Sequence, residues 1–468
     1  MGTTTGSPVV VIGAGPVGLA AAAHLLERGL DTLVVEAGDG PGAAMAAWGH
    51  VRLFSPWRYD VDAAARRLLE ATGTWAEPDA DALPTGAQIV EQYLAPLAAT
   101  PALAGRIRYG TRVTAVARDG ADRTRSLGRE RRGYRVRTVT ADGEVHDVVA
   151  RAVVDASGTW GTPNPVGASG MPAVGEADAG TYLAGALPDV LGADRARFAG
   201  RHTLVVGMGH SAANTLLSLV ELADAEPGTR ITWAIRGGSP RRLFGGGTDD
   251  ELPARGLLGT RLREAVDAGR LELLTRTSIE RVFPDGDIVR IQGSARRAGT
   301  DGDLDLPVHV VVNATGFRPD LDMLREVRLE LDPVVEAPVR LAPLIDPNQH
   351  SCGTVPPHGE SVLAHPDDGF YLVGMKSYGR APTFLLATGY EQVRSVAAAL
   401  AGDRAAADLV HLELPETGVC STDLGDDGGS CCGTAPEPQL VTLGVGGPAP
   451  VGFATGVEHG RSGDGPDA

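Results

Sequence analysis

Pro8-Val-Val-Val-Ile12-Gly13-Ala-Gly15-Pro16-Val-Gly18, continued by Leu19 to Gly29 and Thr32-Leu-Val-Val-Glu36, is the stretch from which the rest of the chain can be read. Val9 to Ile12 is apolar and β-branched, as a strand buried on both faces is. Three glycines follow at the G-x-G-x-x-G spacing. In that pattern the first glycine makes a tight turn and the second lets backbone approach a pyrophosphate. The third lets the following helix pack on the strand. Ala20 to Leu26 continues as that helix, whose N-terminus offers unpaired N–H groups and a positive dipole end to phosphates. Glu36 closes the next strand about 20 residues on, where a carboxylate can meet ribose hydroxyls. Strand, helix and acid together predict a dinucleotide site rather than a glycine-rich loop between core elements.

The pattern recurs. His202-Thr-Leu-Val-Val-Gly207-Met-Gly209-His-Ser211-Ala212 again gives strand, glycine turn and helix, with alanine as an allowed third small residue. The strand after it, Arg230 to Ile235, ends in Arg236 rather than in an acid. An acid there would repel a 2′-phosphate, whereas arginine can pair with one through two parallel N–H donors. The second site is therefore predicted to take NADPH in preference to NADH.

The 468 residues suffice for two or three domains, and 43% hydrophobic content allows sizeable cores. A net charge of −17 argues against nucleic acid or an anionic membrane as partner. No leader and no long apolar run is read at the sequence level, so a cytoplasmic protein is expected. Four cysteines, Cys352, Cys420, Cys431 and Cys432, do not make a secreted disulfide framework, and a reducing compartment fits them.

Between the two glycine patterns, Trp48, Phe54 and Trp57 cluster in a chain that is 4% aromatic, either beside a cofactor ring or in a core. Asp60 to Ala98 reads as helical with a break at Pro84-Thr-Gly86. Ile107 to Ala117, Tyr134 to Thr140 and Val145 to Val154 read as strand pairs. The arginine-rich stretch Arg118 to Gly133 reads as a solvated hairpin tip. Two apolar strands end in small-residue turns, Asp155-Ala-Ser157-Gly158 and Asn313-Ala-Thr315-Gly316. Near the end, Phe370 to Val373 reads as a strand and Phe384 to Leu400 as a helix capped by Thr383. Lys376, the only lysine, lies between them. From Glu416 the composition turns to Gly, Asp, Pro and Ser, which predicts a tail without a core.

Two glycine fingerprints, two small-residue turns and a late strand and helix resemble the two-dinucleotide-binding-domain flavoproteins over about Pro8 to Gly402. Within that group, the Trp48 to Pro56 segment and Gly207 to Ala212 resemble the flavin-containing, class B monooxygenases. The chain looks closest to flavin-binding monooxygenases encoded beside arsenic-resistance genes in actinobacteria. The resemblance implies an α/β fold with two Rossmann-like domains, the NADPH domain inserted in the FAD domain. The implied extents are 1–175 and 333–410 for FAD, 176–332 for NADPH and 411–468 for a cysteine-containing tail. It implies FAD at Gly13, Gly15, Pro16, Gly18, Glu36, Trp48, Val113, Ser157, Gly158, Gly374 and Thr383. It implies NADPH at Gly207, Gly209, Ser211, Ala212, Arg236, Thr315 and Gly316. Three departures stand out. The signature F-x-G-x-x-x-H reads Tyr182-Leu-Ala-Gly185-Ala-Leu-Pro188, an expected asparagine is Phe54, and an expected Gly-Asp pair is Gly374-Met375.

The implied activity is oxygenation of a small molecule at a soft nucleophilic atom (N, S or As) with O₂ and NADPH, through a flavin hydroperoxide. The rival is an NADPH-dependent reductase of a disulfide or soft metal, using Cys420 and the vicinal Cys431-Cys432 as thiolate ligands. A redox-inert FAD- and NAD(P)H-binding sensor is a third reading. Lys376 is expected beside the flavin, and Cys352, flanked by His350 and His358, is expected to be a reactive thiol. Self-association into a homodimer is left open.

Overall fold

The computed structural model describes residues 6–244, 253–347, 355–382 and 384–412. Thr383 and the four cysteines, with the roles expected of them, lie outside the described residues. The described residues belong to one compact unit.

Of its three sheets, two carry the glycine turns. The first is wholly parallel and uses β1 (Val9–Ile12), β2 (Thr32–Val35), β3 (Ile107–Arg108), β7 (Ala152–Asp155) and β15 (Phe370–Leu372), in the order β15-β7-β1-β2-β3. β1 is central: Val11 pairs with Val34 on one side and Val154 on the other. The apolar run has no alternation because both faces of the strand are covered. Helix α1 (Pro16–Glu27) covers one face and is itself buried from Val17 to Leu25. It has little amphipathy because it also packs under the late helix Leu386–Leu400. At that crossing, a Cβ on Gly389 would lie 2.6 Å from Val17 Cγ2, so glycine permits the contact.

The second sheet contains β8 (Leu183–Ala184), β9 (His202–Val206), β10 (Arg230–Ala234), β11 (Glu272–Asp285), β12 (Ile288–Arg297), β13 (Thr300–Val308) and β14 (Val310–Asn313). Its order is β13-β12-β11-β10-β9-β14-β8. β9 pairs in parallel with β10 and β14, so strand order reverses across β9, as at the switch point of a doubly wound sheet. The antiparallel meander β11-β12-β13 on the far edge was not expected from sequence.

Several local expectations need correction. Ile107 to Ala117 is not a pair: β3 belongs to the first sheet, and β4 (Thr111–Arg118) joins β5 (Tyr134–Thr140) and β6 (Val145–Ala150) in a separate antiparallel sheet. Between Asp60 and Pro84 only Ala63–Glu70 is helical, capped by Asp62; Gly73, Pro78 and Pro84 explain why it does not continue. Thr85 and Gln88 then form a capping box for the helical run from Gly86 to Ala98. The late helix begins at Leu386, two residues later than expected, with Leu385 as N-cap.

The arginine-rich stretch is not a solvated tip throughout. Arg118 and Arg129 are buried. Arg129 donates Nε and Nη2 to the two carboxylate oxygens of Asp367 at 2.7 and 2.6 Å. Arg118 lies over the Tyr134 ring and donates to the Asp368 carbonyl. Burial alone would raise the Asp367 pKa, but the Arg129 hydrogen bonds and charge hold it below the usual value. These contacts tie the antiparallel sheet to the segment leading into β15.

His365, in that same segment, makes stability sensitive to acid. Burial pushes its pKa down from 6.5 to about 4, against the opposing pull of Asp367. The unfolded chain therefore binds a proton first as pH falls below 6.5, and stability drains between there and about pH 4. We expect a denaturant-measured slope of roughly 1.4 kcal/mol per pH unit from this one group over that window. His365→Gln should flatten the slope by that amount, and an unchanged slope would contradict it.

Candidate functional site

The first glycine turn joins β1 to α1, and each glycine is required for a different reason. Gly13 has φ +99°, and a Cβ there would meet the Ala156 carbonyl oxygen at 2.8 Å. A Cβ on Gly18 would lie 1.9 Å from the Gly13 oxygen. Gly15, the N-cap of α1, is different: nothing lies within 4 Å of where its Cβ would be. Its bareness faces open space, which is what a cradle for an approaching phosphate requires. Pro16 at the first helical position has no N–H to leave unsatisfied.

Glu36 is held toward this turn from the end of β2. Its Oε2 accepts the Ala14 N–H and its Oε1 the Gly38 N–H, both at 2.7 Å. Each carboxylate oxygen retains acceptor capacity for a hydroxyl. The open face of Gly15 and this oriented carboxylate fit the pyrophosphate and ribose of FAD.

Around the turn, the structure sorts the other residues expected there. Ser157 and Gly158 follow β7 beside it; Gly158 has φ +69° and open space above it. Gly374 is brought over the start of α1, where a Cβ would lie 3.3 Å from Val17; its N–H donates to Gln392. Trp48 is half-buried and covers Gly86, at which a Cβ would sit 2.9 Å from its ring. Trp57 is core. Val113 is 8% exposed within the cluster containing Val10 and Val35, so its side chain serves packing.

Lys376 is not at the surface of the site. It is 0% exposed, and its Nζ donates to Asp155 Oδ2 at 2.7 Å and Ser157 Oγ at 3.0 Å. Sequence reading missed its partner, Asp155, which also accepts the Ser157 N–H and hydroxyl and so fixes the turn. Lys376 positions that turn from behind.

The second glycine turn repeats the first. Gly207 has φ +135°, and a Cβ there would strike the Ala314 oxygen at 2.0 Å; Trp233 Nε1 pins the turn by donating to the Gly207 carbonyl at 2.7 Å. Gly209 is the N-cap of helix His210–Ala225, with nothing within 4 Å of its Cβ position. Ser211 and the buried Ala212 lie in the first turn of that helix. A cavity of about 590 Å³ opens here, lined among others by Gly207, Met208, Arg236, Thr277, Thr315 and Arg380. Arg236 is exposed at it. Thr277 brings a buried hydroxyl with no hydrogen-bond partner.

Asn164, unremarked in the sequence, organises the chain's passage between the sheets. Its carbonyl accepts from Asn313 Nδ2 and Thr315 Oγ1, and its Oδ1 accepts from Arg318 Nε. Phe54 meets the His210 ring edge-on at 5.3 Å, and Trp160 tilts over Phe317 at 5.1 Å. The small-residue turn at Gly316 is thus zipped to the crossing segment. Among the described residues there is no group of side chains suited to a metal ion and no helix long and apolar enough to cross a membrane.

A family described as pyridine nucleotide-disulphide oxidoreductase matches residues 10–349. No curated protein matches the chain. Among solved structures, bacillithiol disulfide reductase from Bacillus cereus superposes with TM-score 0.61 at 19% identity, covering 85% of this chain and 99% of that one. Cadaverine monooxygenase from Erwinia amylovora does so with TM-score 0.57 at 14% identity, covering 87% and 98%. Ornithine N-hydroxylase from Kutzneria sp. 744 gives 0.55 at 16% identity, covering 85% and 99%. At these identities the likeness is one of fold: parallel-sheet, two-Rossmann flavoprotein architecture. None of these relatives is connected by its description with arsenic.

Proposed function

The chain belongs to the pyridine nucleotide-disulphide oxidoreductase family, and from that premise we propose an FAD- and NADPH-dependent monooxygenase acting on a small molecule at a soft nitrogen or sulfur atom. One observation carries the choice of oxygenation over disulfide reduction: the first cysteine in the sequence is Cys352, so neither glycine module nor either sheet up to β14 contains a thiol. A reductase of this fold would need a redox thiol pair beside the flavin. When bound, FAD supplies hydride acceptance from NADPH and electron transfer to O₂.

The residues around it bind and orient. Gly15 admits the pyrophosphate, the N-terminus of α1 faces it, and Glu36 accepts from the ribose. Arg236 pairs with the 2′-phosphate of NADPH. The Phe54–His210 and Trp160–Phe317 ring contacts pack the two modules together where they meet. The domain extents above, with the second module inserted in the first, are part of this proposal.

The test is stoichiometric. NADPH oxidation by the pure protein should require O₂, and an amine or thioether substrate should lower peroxide release while O₂ uptake continues. Anaerobic turnover of a disulfide with NADPH would instead establish the reductase. Cys420 and the tail pair Cys431-Cys432 would supply the thiols for that second reading. Truncation after Thr417 would then leave FAD content and NADPH oxidation intact but weaken turnover of a soft-metal substrate at low concentration, and Cys352→Ser would abolish that turnover.

Arg236 makes a separate prediction. Losing a charge-assisted, two-pronged contact costs about 1.5–3 kcal/mol. Arg236→Ala should therefore raise the KM for NADPH about 10- to 100-fold and leave that for NADH nearly unchanged. Equal losses for both would remove Arg236 from the 2′-phosphate.

A further inference from the structure

The cavity at the second glycine turn is walled partly by the other end of the chain. Val334, Val335 and Arg380, from the segments around β15, line it together with Gly207 and Arg236. Among the described residues its charged lining residues are Arg236 and Arg380, and no carboxylate lines it. The chain as a whole carries a net charge of −17. A cavity whose described lining gathers two guanidinium groups and no acid, in so acidic a protein, is built for an anion.

Arg380 is placed there by a tight corner. Its N–H donates to the Val335 carbonyl at 2.7 Å. Gly379, with φ +57°, comes so close that a Cβ would lie 2.0 Å from that same oxygen. Across the corner, Glu336 holds φ +56°, a conformation that side-chain-bearing residues rarely adopt. Asp332 fixes the corner by accepting the N–H groups of Val334 and Val335 at 2.8 and 2.9 Å. Backbone strain of this kind persists only where the surroundings over-determine it, and it concentrates at ligand clamps.

The head group that this corner presents is loosely held. Among the described residues its acceptors are Asn164 Oδ1 at 3.4 Å and a Glu336 oxygen at 3.9 Å. Both are longer than a charge-assisted hydrogen bond, which spans about 2.7–2.9 Å. Asn164 Oδ1 already has a better donor in Arg318 Nε at 3.0 Å. A stronger acceptor entering the cavity can therefore take the Arg380 guanidinium at little cost.

We propose that Arg380 is a second anion anchor, binding the pyrophosphate of the dinucleotide from the first module's side while Arg236 binds the 2′-phosphate from the second. The pyrophosphate is the group assigned because Gly207 and Met208, of the turn that such a group approaches, line the same cavity. The bound dinucleotide is then clamped between segments of both sheets. This rests on reading the cavity as the NADPH site.

Pyrophosphate is common to NADP⁺ and NAD⁺, and the 2′-phosphate is not, so the two arginines can be separated by binding alone. Calorimetric titration of the flavin-loaded protein with NADP⁺, NAD⁺ and 2′-AMP supplies the test. Arg380→Gln should weaken NADP⁺ and NAD⁺ by the same factor, about 10- to 100-fold, and leave 2′-AMP unchanged. Arg380→Lys, which keeps the charge but loses the planar fork, should recover only part of it and guards against a folding defect. Arg236→Gln should weaken NADP⁺ and 2′-AMP and spare NAD⁺. Unchanged NADP⁺ and NAD⁺ affinities in Arg380→Gln overturn the anchor. So does an equal loss for 2′-AMP, or an effect confined to the KM of an organic substrate. If Arg236→Gln also changes neither NADP⁺ nor 2′-AMP, the reading of the cavity falls with it. If Arg236→Gln behaves as expected, only the anchor does.

Discussion

Gly15→Asp should purify colourless and folded. The two halves of that statement come from one observation. Nothing lies within 4 Å of the Gly15 Cβ position, and its backbone is extended rather than left-handed, so a side chain meets no steric objection from the protein. What it meets is the ligand: a carboxylate would stand where the pyrophosphate approaches, adding like-charge repulsion to bulk. Flavin content should fall from stoichiometric to near zero while the circular dichroism spectrum remains native. Gly18→Ala is the contrasting control, because its Cβ would lie 1.9 Å from the Gly13 oxygen and must disturb the packing of α1 on β1. It should lose stability before it loses flavin. Full flavin occupancy in Gly15→Asp would show that the first turn is not the flavin site.

The second large effect is expected at Lys376→Met. The lysine and Asp155 are both 0% exposed and 2.7 Å apart. Removing one member of a buried pair strands the other charge, typically at about 3–5 kcal/mol. Asp155 would keep its Ser157 contacts but lose its cation. The measurement is denaturant-induced unfolding, and the diagnostic is the partner. Asp155→Asn combined with Lys376→Met should recover much of the loss, since no buried charge is then left unpaired. A Lys376→Met protein as stable as the parent would refute the pairing. A residue read from sequence as a neighbour of the flavin is thus expected to act chiefly on stability, through the turn it holds.

The contrast between these two positions marks what the sequence could reveal. Gly13, Gly15, Gly18 and Glu36 were legible because their chemistry is local: strand, turn, helix and acid lie within one short segment. The same holds for Gly207, Gly209 and Arg236. Lys376 and Asp155 are 221 residues apart, Arg129 and Asp367 are 238, and Arg380 and Asn164 are 216. No spacing rule reaches such distances, so the buried partner of the one lysine was not foreseen and two buried arginines were read as solvent-facing. The β11–β13 meander is a different kind of miss. Asp285-Gly286 and Ala298-Gly299 are turn signals between alternating runs, and both glycines have positive φ, 69° and 85°. That pattern was local and could have been found.

The strand order of the first sheet bears on how the protein is made. β15 forms its edge beside β7, yet the chain leaves β7 at Asp155 and returns only at Phe370. Every strand of the second sheet, Leu183 to Asn313, is synthesised in between. During translation the later-starting module therefore has all its strands first, while the earlier-starting one waits with an open edge and without the helix that covers α1. Domains generally fold as units as they emerge, and unpaired edges are exposed in the interval. The first sheet is accordingly expected to close late in biogenesis, after the second rather than before it. Nascent chains halted after Asn313 should show protease protection in the second sheet and none in the first; protection of β1 at that length would reverse the order.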